Sequence, residues 1–252
     1  MLELRNATVG YGRVPVLREL SAAFETGRLT AVIGANGCGK STLLKALSGI
    51  LPLSSGELFL DGDSPRMPSR SHLARHVAYL AQGQRTPDMT VAQLVLHGRF
   101  PHGHYPRRYT DLDRSLARDA MDRLGILPLA DLPLHSLSGG MRQTAYLAMA
   151  LAQDTEYILL DEPTTYLDIA HQLELMRLLR RLADGGKGIV AVMHDLPLAF
   201  DFSDEIAVVA DGGIALRATP EEVSVSPLLS SIFGVSLAKS EETRTYTYRY
   251  PQ

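Results

Sequence analysis

Eight consecutive residues, Gly34-Ala35-Asn36-Gly37-Cys38-Gly39-Lys40-Ser41, fit the spacing Gly-x4-Gly-Lys-[Ser/Thr], and they lie between the apolar run LTAVI and the run KSTLLKAL. Those residue types at that spacing make a phosphate-binding loop. Glycines let the backbone turn tightly enough for successive N–H groups to face phosphate oxygens, and the helix that follows adds the positive end of its dipole. Gly34, Asn36, Gly37, Cys38, Gly39 and Thr42 then surround the phosphates, Lys40 neutralises the β- and γ-phosphates, and the Ser41 hydroxyl coordinates Mg²⁺. A second site feature follows much later in EYILLDEP, where four apolar residues read as a buried strand ending in Asp161 and Glu162. Asp161 is suited to the shell of Mg²⁺, and Glu162 to accepting a proton from, or orienting, an attacking water. Together these residues read as hydrolysis of a nucleoside triphosphate, which several kinds of phosphate-loop enzyme perform.

The run LSGGMRQ, Leu137 to Gln143, narrows that reading. Ser138 with Gly139 and Gly140 at a helix start offers a hydroxyl and free amides to an anion. Ser-Gly-Gly caps are common singly; placed between the phosphate loop and the paired acids, this one resembles the signature motif of ABC ATPases. The resemblance extends to about residue 235. It implies ATP as the nucleotide with Mg²⁺, a head-to-tail homodimer in which Ser138, Gly139 and Gly140 meet the γ-phosphate held by the other copy, and integral-membrane permease subunits as partners, with a substrate-binding protein acting indirectly. It also implies four further roles. Gln82 in HVAYLAQ touches Mg²⁺ and senses the permease; Asp168 in TTYLD crosses the dimer interface; His194 after GIVAVM contacts the γ-phosphate; Tyr11 in VGYG stacks on adenine.

Within that family GCGKST, AMALAQDT, GRFPH and DEPTTYLDIAHQ, with Cys38 and Tyr166 as marks, are similar to the ATPases of importers for ferric siderophores, haem and cobalamin. Met141 and Thr144 depart from the usual LSGGQRQR, and Met193 is a further apolar variation. An exporter's ATPase shares all the main motifs. A soluble ABC ATPase acting on DNA or ribosomes would carry a coiled-coil insertion or a second ATPase half, and neither is in the sequence. The cargo is not legible, since the ATPase never touches it. His97, His102 and His104 lie close together in HGRFPHGHYPRR without an interleaved carboxylate or cysteine, which reads as a surface loop near the permease contact rather than a metal site; Arg107 and Arg108 face either a membrane partner or water.

The elements that must position these residues follow from periodicity. Residues before about 90 mix short strands and turns, residues 90–154 carry apolar positions three and four apart, and strand–helix alternation returns from EYILLDEP onward. The expectation is an α/β fold: a phosphate-loop NTPase core with a mostly parallel sheet and an antiparallel β edge, made from residues 1–89 and 155–252, and an inserted helical subdomain, 90–154. The tail from about Thr219, a proline-marked turn, short helical runs and the polar end TRTYTYRYPQ, reads as peripheral. Of the 252 residues, 45% are hydrophobic and 21% charged, as in ordinary globular domains, and a net charge of −3 gives no general attraction to nucleic acid. A single cysteine excludes an intrachain disulfide and fits a reducing compartment. The N-terminus lacks the basic-then-apolar pattern of a secretory signal, and no run reaches the roughly 18 to 20 apolar residues of a membrane span. A peripheral place at the cytoplasmic face of the membrane is therefore expected.

Overall fold

The computed structural model describes residues 1–61, 68–83, 86–103 and 108–249, so His104 and Arg107 lie outside the described residues. A long hairpin opens the chain. Strands β1 (Leu2–Tyr11) and β2 (Val14–Phe24) pair antiparallel, from Leu2 opposite Phe24 to Tyr11 opposite Val14, which leaves Tyr11 at the tip. Strand β3 (Leu29–Ile33) is buried at every position and runs straight into the phosphate loop and helix α1 (Lys40–Leu47). Strand β4 (Ser55–Leu60) returns along β1 to complete a three-stranded antiparallel sheet, β2-β1-β4. Helix α2 (Arg70–His76), capped by the Ser69 hydroxyl, leads into β5 (Val77–Leu80), which ends two residues before Gln82.

Helices α3 (Val91–His97), α4 (Asp111–Arg123) and α5 (Gly139–Ala152) pack on one another. Their starts are written locally: Thr90 and Thr110 each close a capping box, and Ser138 caps α5 by accepting from Met141 N. Gly98 allows the end of α3 to pass against α5, because a Cβ there would fall 2.1 Å from the Met149 carbonyl oxygen. Next to it, the buried Arg99 guanidinium donates to Asp113 Oδ1 at 2.9 Å and to the carbonyls of Ala152 and Gln153 at 3.0 Å each. Gln153 in turn donates to Ala74 O and Val77 O, joining the end of α5 to the α2–β5 junction.

The chain then alternates β6 (Tyr157–Asp161), α6 (Ile169–Asp184), β7 (Gly188–Val192), α7 (Leu196–Phe202) and β8 (Glu205–Ala210), followed by β9 (Gly213–Ala218). The six-stranded sheet runs β5-β6-β7-β3-β8-β9, parallel except for β9. Its middle strands β3, β6 and β7 are buried throughout, as continuous apolar runs covered on both faces by helices should be. Register sets the site: Val32 lies opposite Val192, and Val192 opposite Asp161, so the phosphate loop, Asp161–Glu162 and His194 all leave the same carboxyl edge.

Short helices α8 (Pro220–Ser224) and α9 (Pro227–Phe233) precede a two-stranded hairpin, β10 (Ser236–Lys239) and β11 (Tyr246–Arg249). Here the reading of the tail as peripheral is corrected. Tyr246 is only 4% exposed and joins Leu237 in the main core, because pairing of β10 with β11 turns this one ring inward while Tyr248 stays exposed.

Candidate functional site

The phosphate loop takes its shape from glycines. Gly34 has a φ of 155°, and a Cβ there would fall 2.4 Å from the Val209 carbonyl oxygen, so β8 and the loop can approach only with glycine at this position. Lys40 is buried and donates to the carbonyls of Gly34 at 2.9 Å and Ala35 at 2.8 Å, bending back over its own loop. Tyr11 is half exposed and accepts from Lys45 Nζ at 3.3 Å, with that ammonium 5.7 Å from its ring centre. A hydrogen bond with Thr42 holds its phenol below the ordinary value against the opposing effect of burial, and Lys45 adds to this.

Four predicted residues form one connected set with the loop. Ser41 Oγ donates to Asp161 Oδ1 at 2.9 Å. Asp161 is 3% exposed, and burial pushes its carboxyl above the usual range while the hydroxyls of Ser41 and Tyr79 pull it back. Glu162 has the left-handed φ of 54°, a conformation that costs a non-glycine residue on the order of 1–3 kcal/mol and persists only where its surroundings enforce it. Its carboxylate is held from both sides: Gln82 Nε2 donates to one oxygen at 2.5 Å and His194 Nε2 meets the other at 2.5 Å. Thr165 Oγ1 adds a bond to Glu162 Oε2 at 3.3 Å.

Ser138, Gly139, Gly140 and Asp168 are not part of that set. They line a separate cleft of about 1030 Å³ between α5 and α6 that no residue of the phosphate loop borders. Asp168 caps α6, accepting from His171 N at 2.9 Å and meeting His171 Nδ1 at 2.7 Å, and these bonds hold its carboxyl below the usual range. A Cβ on Gly140 would sit 3.4 Å from Leu167 Cδ2 and from the Tyr166 carbonyl oxygen, so TTYLD and the start of α5 pack directly. Tyr166 and Ile169 beside Asp168 are 74% and 76% exposed, an apolar pair turned outward.

Three contributors were not read from the sequence. Tyr79 donates to Asp161 Oδ2 at 3.3 Å, Thr165 reaches Glu162, and Gln172 Nε2 braces the TTYLD turn through Thr164 O and Leu167 O. Each belongs to a run already singled out, and no residue type or spacing within those runs marks it. His97 Nδ1 meets Gln93 O and His102 Nε2 meets Gln153 O, so these two rings serve separate helix carbonyls.

A carboxyl-edge phosphate loop backed by Ser41, Asp161 and Glu162 on a mostly parallel sheet defines a phosphate-loop ATPase. A family model described as ABC transporter matches residues 17–165, and the chain belongs to that family. It is similar to the petrobactin import ATP-binding protein of Bacillus anthracis, 40% identical over 92% of this chain and 86% of that one. It is similar also to the ferric enterobactin transport ATP-binding protein of Escherichia coli (strain K12), 41% over 90% and 85%, and to the iron(3+)-hydroxamate import ATP-binding protein of Bacillus subtilis (strain 168), 40% over 94% and 89%. Among solved structures, an inward-facing ABC transporter provisionally typed as metal-chelate matches with a TM-score of 0.83 at 27% identity, covering 99% of this chain and 97% of that one. A nucleotide-free ATP-binding cassette matches with 0.81 at 21%, covering 92% and 98%, which supports the fold alone. The protein is thus an ATPase of the ABC type.

Proposed function

We propose that this chain powers a membrane importer for a ferric siderophore, haem or cobalamin, working as a homodimer on the cytoplasmic face of integral permease subunits. The observation that carries it is identity near 40%, across nine-tenths of the chain, to three proteins named for petrobactin import, ferric enterobactin transport and iron(3+)-hydroxamate import. No described helix is long and apolar enough to cross a membrane, so on this reading attachment comes through the permease.

The residues take the following parts. Tyr11 stacks on adenine, and Gly34, Asn36, Gly37, Cys38, Gly39 and Thr42 enclose the phosphates. Lys40 exchanges the carbonyls of Gly34 and Ala35 for phosphate oxygens. Ser41, Asp161 and the amide oxygen of Gln82 are hard oxygen donors, and the 2.9 Å bond between Ser41 and Asp161 already brings two of them together, a set that fits Mg²⁺. Bound there, Mg²⁺ would neutralise charge on the transferring phosphoryl group. Glu162 accepts the proton of the attacking water once Gln82 and His194 turn from its carboxylate toward the γ-phosphate side. Ser138, Gly139 and Gly140 serve the site of the other copy, with Asp168 at the junction. Residues 90–154 form the helical unit that carries Ser138, and 1–89 with 155–252 the core. Sandwiched ATP favours the closed pair, and hydrolysis removes that bias and lets the permease reset.

Cells lacking this chain, supplied with ferric siderophores, haem or cobalamin one at a time as sole source, should fail to use one of them. Normal use of all, with loss of efflux of a drug or lipid instead, would replace this reading with that of an exporter's ATPase.

A further inference from the structure

The residues beyond Gly234 take no part in the chemistry above, yet they are built onto the helix that follows His194. Between β7 and α7 the backbone has one anchor on each side of that histidine. Before it, Met193 N donates to Val32 O at 3.1 Å and ties the strand end to β3. After it, Asp195 caps α7 by accepting from Leu198 N at 2.9 Å, and Leu196 N donates to the Tyr248 phenol oxygen at 3.3 Å. The far end of the same helix is held too. Asp201 Oδ1 accepts from Tyr246 N at 2.8 Å, and the Phe200 and Tyr246 rings meet edge to face with centres 5.3 Å apart. Strand β11 therefore grips α7 at its first residue and again in its last turn. The hairpin is itself fixed, by four β10–β11 pairs and by the ion pair of Lys239 with Glu221 of α8. The His194 side chain is 45% exposed, so its direction depends on the backbone at both sides more than on enclosing neighbours.

We propose that the β10–β11 hairpin is a positioning element for His194: by holding both ends of α7 it fixes the turn from which the imidazole is presented to the site. This rests on His194 acting in hydrolysis, as proposed above. Tyr248 and Asp201 are the side chains that transmit it, and neither touches nucleotide. Loss of either bond lets the first turn of α7 shift. A histidine misplaced by a fraction of an ångström affects the chemical step while leaving most nucleotide contacts alone.

The test is steady-state MgATP hydrolysis by the full chain. Tyr248→Phe removes the acceptor from Leu196 N and keeps the ring; Asp201→Ala removes the acceptor from Tyr246 N, and Asp201→Asn keeps an oxygen there. Tyr248→Phe and Asp201→Ala should each lower kcat about two- to tenfold, the range one net hydrogen bond supports, with KM for ATP within about twofold. Asp201→Asn should recover most of the loss. In a His194→Ala background neither change should lower turnover further, a dependence that a merely structural role of the hairpin would not produce. Undiminished kcat in both variants, or losses that multiply with that of His194→Ala, would overturn the inference while leaving the site reading intact. A His194→Ala protein with wild-type turnover would remove both, and the two failures are told apart by that single variant.

Discussion

Glu162 holds a left-handed backbone at the carboxyl edge, with Gln82 and His194 on its two oxygens. On the function proposed above, the carboxylate serves the attacking water rather than holding nucleotide. Glu162→Gln keeps the shape and removes the charge, so ATP affinity should be unchanged while turnover falls by about 10²- to 10⁴-fold, the range for a positioned general base. Nucleotide titration and single-turnover hydrolysis together check it, and near wild-type turnover would reassign the base. The types of Lys40, Ser41, Asp161 and Glu162 were legible because phosphate-loop chemistry fixes both residue and spacing. Tyr79 was not, because a tyrosine in an apolar strand reads as core until β5 is placed beside β6, where its hydroxyl meets Asp161.

At the scale of elements, Arg99 fastens three helices at once through Asp113 and the last carbonyls of α5. Burial alone would raise the Asp113 carboxyl, but bonds from the Thr110 amide and hydroxyl and from Arg99 outweigh it and hold it at about 2. Against about 3.9 for an unperturbed aspartate, this contributes about 2 kcal/mol of stability. Because the folded value is the lower one, the contribution is complete above about pH 5 and is lost as pH falls through about 4 toward 2. Urea midpoints for wild type and Asp113→Asn should therefore differ by a constant amount at neutral pH and converge toward pH 2. Arg99→Ala leaves Asp113 Oδ1 and two carbonyls without their donor, although Thr110 still binds Asp113 Oδ2, and should cost about 2 to 4 kcal/mol in the same measurement. An Arg99→Ala protein as stable as wild type would refute the bracket. The helical periodicity of these elements is in the sequence, yet the bracket is not: nothing local to GRFPH pairs Arg99 with Asp113 or with the end of α5.

For the whole molecule, the separation of the Ser138 cleft from the phosphate loop is the informative feature. On the function proposed above, this cleft, with Tyr166 and Ile169 exposed beside Asp168, is where a second copy docks. Full-length Glu162→Gln in MgATP should accumulate as a dimer by size-exclusion chromatography with light scattering, since hydrolysis is what reopens the pair. Adding Ser138→Arg should return it to monomer by filling the place of the opposing γ-phosphate. A dimer that persists with Ser138→Arg would mean that another surface joins the copies.

What the sequence determined by itself was the local chemistry. GANGCGKS has the residue types and spacing of a phosphate-binding loop, EYILLDEP and LSGGMRQ gain their meaning from their order after it, and caps such as Thr90, Thr110 and Ser138 specify where helices begin. The order of apolar runs was enough to give an α/β fold with a parallel sheet. Tertiary structure alone decided which of these distant pieces meet. Gln82 reaches Glu162 across 80 residues, and Leu196 N reaches the Tyr248 phenol across 52, because sheet register and helix packing, not sequence distance, bring them into hydrogen-bond range. The tail shows the difference most plainly: TYTYR is polar by composition, and only its pairing with β10 and its contact with α7 bury Tyr246 in the core beside that helix.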